Sequence, residues 1–142
     1  MRYIPLFIVL VFLVSCAENL DEVVAETHND GSTKRVQYFK GEGEDRFLRK
    51  DVFYYENGQK RVEGEYNREG KKDGKWTYWY EDGNKWSEGY FKDGLNHKER
   101  TTWHETGEMH YTGNYEMGKR VGVWKFYNED GELVKEIDYD NL

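Results

Sequence analysis

Three sets of residues in this chain have types and spacings that could do chemistry. The first is acidic. Glu56, Glu81, Glu105 and Glu129 each stand two residues before a glycine, at intervals of 25, 24 and 24. A carboxylate ladder at a fixed offset can hold Ca²⁺ or pair as acid and base. Glycoside hydrolysis, for example, needs two carboxylates roughly 5–10 Å apart. A solvated turn residue copied with a structural unit gives the same pattern. The second set is His97, His104 and His110. The hairpin register derived below puts His104 opposite Met109 and His110 opposite Trp103. That sends the two rings to opposite faces, so no shared metal is expected. The third set is aromatic: Tyr54, Trp79, Trp103 and Tyr127 recur at the interval of the acidic ladder, with Trp86 and His110 beside them. Rows of rings on rigid strands bind sugars, peptides or protein hot spots. They are the candidate binding surface, and a packed layer is the other reading. No Ser or Cys nucleophile sits in a strained-turn motif, no glycine loop has the phosphate-cradling spacing, and no Cys pair could hold zinc. The expectation is a non-enzyme with no cofactor and no metal.

The elements that must position these residues are hairpins. Gly31, Gly58, Gly83, Gly107 and Gly131 lie 27, 25, 24 and 24 residues apart. Four follow Asp or Asn and one follows Thr106, between aromatic alternating runs. Asp-Gly and Asn-Gly in that setting predict two-residue type I′ turns, whose central residues both need positive φ. Fixing the turns fixes the register. Trp79 is then expected opposite Trp86, Tyr78 opposite Ser87 and Trp76 opposite Gly89. Tyr54 falls opposite Arg61, Trp103 opposite His110, Tyr127 opposite Val134 and Trp124 opposite Ile137. One face collects Trp76, Tyr78, Gly89, Phe91, Trp124 and Phe126. The other collects Tyr54, Trp79, Trp86, Trp103 and Tyr127. A glycine opposite Trp76 lets the ring lie flat on backbone. The third unit departs from the pattern. Lys98 stands where Gly74 and Gly122 stand, and Arg100 where Trp76 and Trp124 stand.

The chain has 142 residues, net charge −7, 17% aromatic residues, fifteen Gly and one Pro. Mean hydropathy is −1.05. The aromatics argue against disorder, and the acidic balance argues against nucleic acid as a partner. Residues 1–15, MRYIPLFIVLVFLVS, pair Arg2 with an apolar run too short to span a bilayer. They read as a signal peptide whose apolar part is helical. Leu13-Val14-Ser15-Cys16 resembles a bacterial lipobox. The resemblance implies cleavage before Cys16 and acyl chains, palmitate among them, on this single cysteine. Multiple chains give a lasting hold on a lipid bilayer. Ala17 in place of Asp points, by resemblance to enterobacterial sorting, to the outer membrane. Residues 16–27 read as the acylated Cys and an acidic tether. Residues 28–142 read as five repeat units near 28–49, 50–74, 75–98, 99–122 and 123–142.

Residues 63–78, EGEYNREGKKDGKWTY, and 112–124, TGNYEMGKRVGVW, resemble MORN repeats. Tyr54 to Lys60, YYENGQK, resembles the bacterial variant labelled the YwqK-type antitoxin family. The resemblance spans about residues 50–140. It implies an all-β, elongated antiparallel sheet of successive hairpins. The expected function is a membrane-anchored interaction module in the bacterial cell envelope, with a protein or glycan partner. The alternatives are an immunity or antitoxin-type lipoprotein against an envelope-acting toxin, and a glycan-binding or glycan-processing protein.

Overall fold

All five glycine turns close hairpins, but by a geometry that moves their neighbours. A computed structural model describes residues 19–142. The signal segment with its expected helix, and Cys16, lie outside the described residues. The strands are β1 (Asp21–Thr27), β2 (Thr33–Lys40), β3 (Phe47–Tyr54), β4 (Lys60–Tyr66), β5 (Lys72–Trp79), β6 (Lys85–Lys92), β7 (Leu95–Trp103), β8 (Met109–Glu116), β9 (Lys119–Tyr127) and β10 (Leu133–Asp138). They form one open antiparallel sheet in chain order. Ten strands at the usual spacing span about 43 Å. The expected all-β sheet of successive hairpins is therefore present.

The expected type I′ turns are not what closes these hairpins. At the β5–β6 turn, Gly83 N donates to Tyr80 O and Tyr80 N to Asn84 O, and the same two bonds bracket Gly31, Gly58, Gly107 and Gly131. These are three-residue loops, a type I turn completed by a left-handed glycine in a bulge. The five glycines have φ between +80° and +92°, and the residues before them are not left-handed. Asp30, Asn57, Asp82 and Thr106 instead accept a hydrogen bond from the N–H two residues on. Thr106, a residue type that resists positive φ, is thus unstrained. Type I′ geometry occurs at the opposite end of the sheet, at Asp93-Gly94 and Met117-Gly118, where both residues have positive φ.

The bulge slips the register by one at each turn mouth. Trp79 pairs Lys85 rather than Trp86, and Tyr54 pairs Lys60 rather than Arg61. Trp103 pairs Met109 rather than His110, and Tyr127 pairs Leu133 rather than Val134. Deeper in the hairpins Trp76–Gly89, Tyr78–Ser87 and Trp124–Ile137 pair as expected. Asp21–Thr27, expected as tether, is strand β1 paired with β2. A turn at Gly31 requires a strand on each side, and β1 supplies the first with mostly exposed side chains.

A single-layer sheet has little core, and two tryptophans make most of it. Trp76 is 3% exposed and Trp124 0%. Each lies flat on a glycine of the strand before it. A Cβ at Gly64 would sit 2.1 Å from the Trp76 ring, and one at Gly113 would sit 2.2 Å from Trp124. Tyr66 and Tyr115 meet these rings edge-on at 5.2 and 5.0 Å. A cation four residues upstream covers each: Lys72 Nζ lies 3.9 Å from the Trp76 ring and Arg120 Cζ 4.6 Å from Trp124. Phe91 and Tyr139 complete the enclosures. The supporting glycine of Trp76 is thus Gly64, and what lies over Gly89 is Arg100. Counting seven residues back from Gly58, Gly83, Gly107 and Gly131, the equivalent positions hold Asp51, Trp76, Arg100 and Trp124.

Candidate interaction surfaces

Alternation along the odd strands puts Tyr54, Trp79, Trp103 and Tyr127 on the face opposite Trp76 and Trp124. Each is the last residue of its strand, β3, β5, β7 and β9. Neighbouring rings are therefore two strands, about 9–10 Å, apart. The next residue along holds the pitch. The hydroxyls of Tyr55 and Tyr80 donate to Trp79 O and Trp103 O at 2.8 and 2.9 Å. His28 and His104 donate through Nε2 to Tyr54 O and Tyr127 O, both at 3.1 Å. Each hairpin is thereby tied to the ring-bearing residue of the next. Sequence reading missed this ladder, although Tyr55, Tyr80 and His104 directly after the first three rings were its visible sign.

Below the row the face is charged. Lys50 and Lys60 both bridge Glu63, and Lys75 and Lys85 both bridge Glu88. Lys60 and Lys85 also lie 5.9 and 5.7 Å from the Trp79 and Trp103 rings. The two carboxylates border an open cleft of about 310 Å³ that Thr77 and Trp79 also line. Burial alone would raise the pKa of Glu63 and Glu88. The flanking lysines outweigh it, and both fall below the ordinary glutamate range. Groups held ionised in this way suit structural pairing rather than proton donation. The sign for stability follows from linkage. The pairs contribute fully above the unfolded glutamate pKa of about 4.5, and the contribution is lost as pH falls through the lower folded values. Chemical unfolding between pH 7 and 3 is expected to show falling stability below about pH 4.5. The Glu63→Gln, Glu88→Gln variant should show a shallower fall.

The other predicted candidates are distributed as follows. Glu56, Glu81, Glu105 and Glu129 are exposed in the turns. His104 and His110 do not point to opposite faces: their rings stack with centroids 4.3 Å apart. The bulge that pairs Trp103 with Met109 carries His110 to the Trp124 face. Burial, and then the neighbouring His104, hold His110 below the ordinary histidine pKa. Trp86 moves to that face too, meeting Tyr78 edge-on at 5.8 Å and lying 6.4 Å from Tyr80. The candidate surface therefore divides, with Tyr54, Trp79, Trp103 and Tyr127 on one face and Trp86 and His110 on the other. Among the described residues, no group of three or more His, Cys, Asp or Glu is placed to hold a metal. None of their helices is long and apolar enough to cross a membrane.

These features define a class: a single-layer meander of hairpin repeats, with its larger rings placed by repeat position. The family described as MORN repeat variant matches residues 52–68, 72–93 and 120–141. The three matches fall on β3–β4, β5–β6 and β9–β10, and the architecture fits a repeat-based interaction module. No curated protein and no solved structure matches the chain.

Proposed function

We propose that this chain is a non-enzymatic interaction module held at a bacterial envelope membrane by acyl chains on Cys16. Its partner, a protein or a glycan, would dock on the Tyr54, Trp79, Trp103 and Tyr127 row. The observation that carries the reading is the row itself. Four part-exposed rings recur at one pitch on one face, and the two-layer alternative is not needed to bury the main tryptophans. The leader and lipobox support the address, with Ala17 favouring the outer membrane. That address also favours a toxin acting in the envelope as one partner, the immunity reading, over a cytoplasmic one. Cys16→Ser is expected to release the protein from membranes on fractionation, and undiminished membrane association would refute the anchor. Trp79→Ala with Trp103→Ala should leave the domain folded and abolish capture of the envelope partner. Unfolding of that variant would make the row core. Turnover on a glycan panel that disappears with Glu81→Gln would overturn the non-enzymatic assignment.

A further inference from the structure

On the face that carries Trp76 and Trp124 the repeat is broken at β7, between the two tryptophans, and that break leaves a cleft. The Trp76-x-Tyr78 and Trp124-x-Phe126 pattern becomes Arg100-x-Thr102 on β7. Two aromatic clusters therefore stand apart where a continuous one would run. Tyr78 and Trp86 wall one side, and His110 and Tyr111 wall the other. The cleft has a volume of about 420 Å³, within the range that holds a small molecule. Ser87, Arg100 and Thr102 are its remaining lining residues. Trp86 is 49% exposed, the largest exposure of any described tryptophan.

The lining is polar in a particular way. Thr102 is 5% exposed, and its Oγ1 is buried with no hydrogen-bond partner. Arg100 lies across Gly89, where its Nε is buried and unpartnered. The guanidinium lies 5.7 Å from the Phe91 ring and forms no ion pair among the described residues. No carboxylate lines the cleft, in a chain of net charge −7. Buried donors without partners are costly unless something accepts from them. We propose that this cleft binds a small ligand with a carboxylate on a six-membered ring, the carboxylate meeting Arg100 and Thr102 and the ring lying between Trp86 and Tyr111. A single guanidinium fork with one or two hydroxyls matches the planar charge of a carboxylate, whereas a phosphate dianion calls for more positive charge. Aromatic walls stack equally on an aromatic acid or a sugar acid. The cleft lies on the opposite face from the Tyr54–Tyr127 row, so the two surfaces stand or fall separately.

The test is titration of the full-length chain with benzoate and with glucuronate, followed by the Trp86 indole N–H signal in NMR. Benzyl alcohol and glucose serve as neutral counterparts. At least one acid should give a saturable shift, about tenfold or more tighter than its neutral counterpart, and which acid does so separates the aromatic from the sugar source. Arg100→Gln, with an unchanged melting profile, should weaken binding at least tenfold. The Arg100→Trp, Thr102→Phe variant restores the repeat's residues, fills the cleft and should abolish it. Lack of saturation with either acid, equal affinity for acids and neutral counterparts, or undiminished binding by Arg100→Gln would overturn the proposal.

Discussion

Replacing Trp124 with Ala is expected to destabilise the domain by about 3–5 kcal/mol, the range for deleting a fully buried tryptophan. In a thin sheet that is a large share of a stability of roughly 5–15 kcal/mol. The cost is high because everything around the ring is arranged for it. Gly113 lies beneath, Tyr115 at its edge, Arg120 above and Tyr139 at the far side. Its indole donates to Asn114 O at 3.2 Å. The short turn Tyr139–Asn141 folds back onto β9, where Asp140 accepts from Gly122 N. The C-terminal turn therefore helps to hold β9 and enclose the ring. Gly113→Ala should cost about 1–3 kcal/mol or more by itself, since the new methyl overlaps the ring. In the Trp124→Ala background the same change should cost little. Urea unfolding of the two single variants and the double variant measures that coupling.

Asp51→Ala is expected to cost about 3–5 kcal/mol, because it leaves a charge without its buried partner. Asp51 is 0% exposed. Arg35 grips it with both arms of the fork, Nε to Oδ1 at 2.9 Å and Nη2 to Oδ2 at 2.6 Å. The same guanidinium reaches Glu26 on β1 at 3.3 Å and lies 4.9 Å from the Phe53 ring. Its hydrogen bonds to Asp51 raise the arginine pKa further. The cluster ties β1, β2 and β3 together at the position where β5 and β9 use tryptophan. Arg35→Met combined with Asp51→Ala should recover much of the loss, since no charge is then stranded. If the double variant were as unstable as Asp51→Ala alone, the stranded-charge explanation would fail.

Much of the architecture was legible because the turn glycines are copied at nearly constant spacing. The order of the hairpins, their deep register and the face of Trp76 and Trp124 all follow from that spacing. The slip at each turn mouth was not legible from the Asp-Gly pairs alone. Asp-Gly suits a type I′ turn, and it equally suits a type I turn with a bulged glycine, where Asp accepts from the N–H beyond. Thr106-Gly107 carried the sign, because Thr fits the second geometry and resists the first. One residue of slip moved Trp86 and His110 to the other face. The cationic caps were visible as Lys71-Lys72 and Lys119-Arg120, each pair ending four residues before a tryptophan. Their role required knowing that the chain bends between cation and ring, at Gly74 and Gly122, which have φ of +87° and +62°. Lys98 takes the same left-handed conformation at +65° without being glycine, so the degenerate third unit keeps the repeat's path. Asp51 and Arg100 occupy tryptophan positions, and their partners come from other strands or are lacking. Spacing alone does not reveal either.

Hydrogen exchange of the five indole N–H groups, read by NMR on the full-length chain, tests most directly whether the Tyr54–Tyr127 row is a free surface. Trp76 and Trp124 donate to the carbonyls of Glu65 and Asn114 beneath their caps. Trp79, Trp86 and Trp103 have no protein acceptor among the described residues, and none of their indole nitrogens is buried without a partner. The account predicts slow exchange for Trp76 and Trp124 and rapid exchange for Trp79, Trp86 and Trp103. Protection of Trp79 and Trp103 comparable to that of Trp124 would mean that a second layer covers the row, and would contradict the single-layer interaction surface.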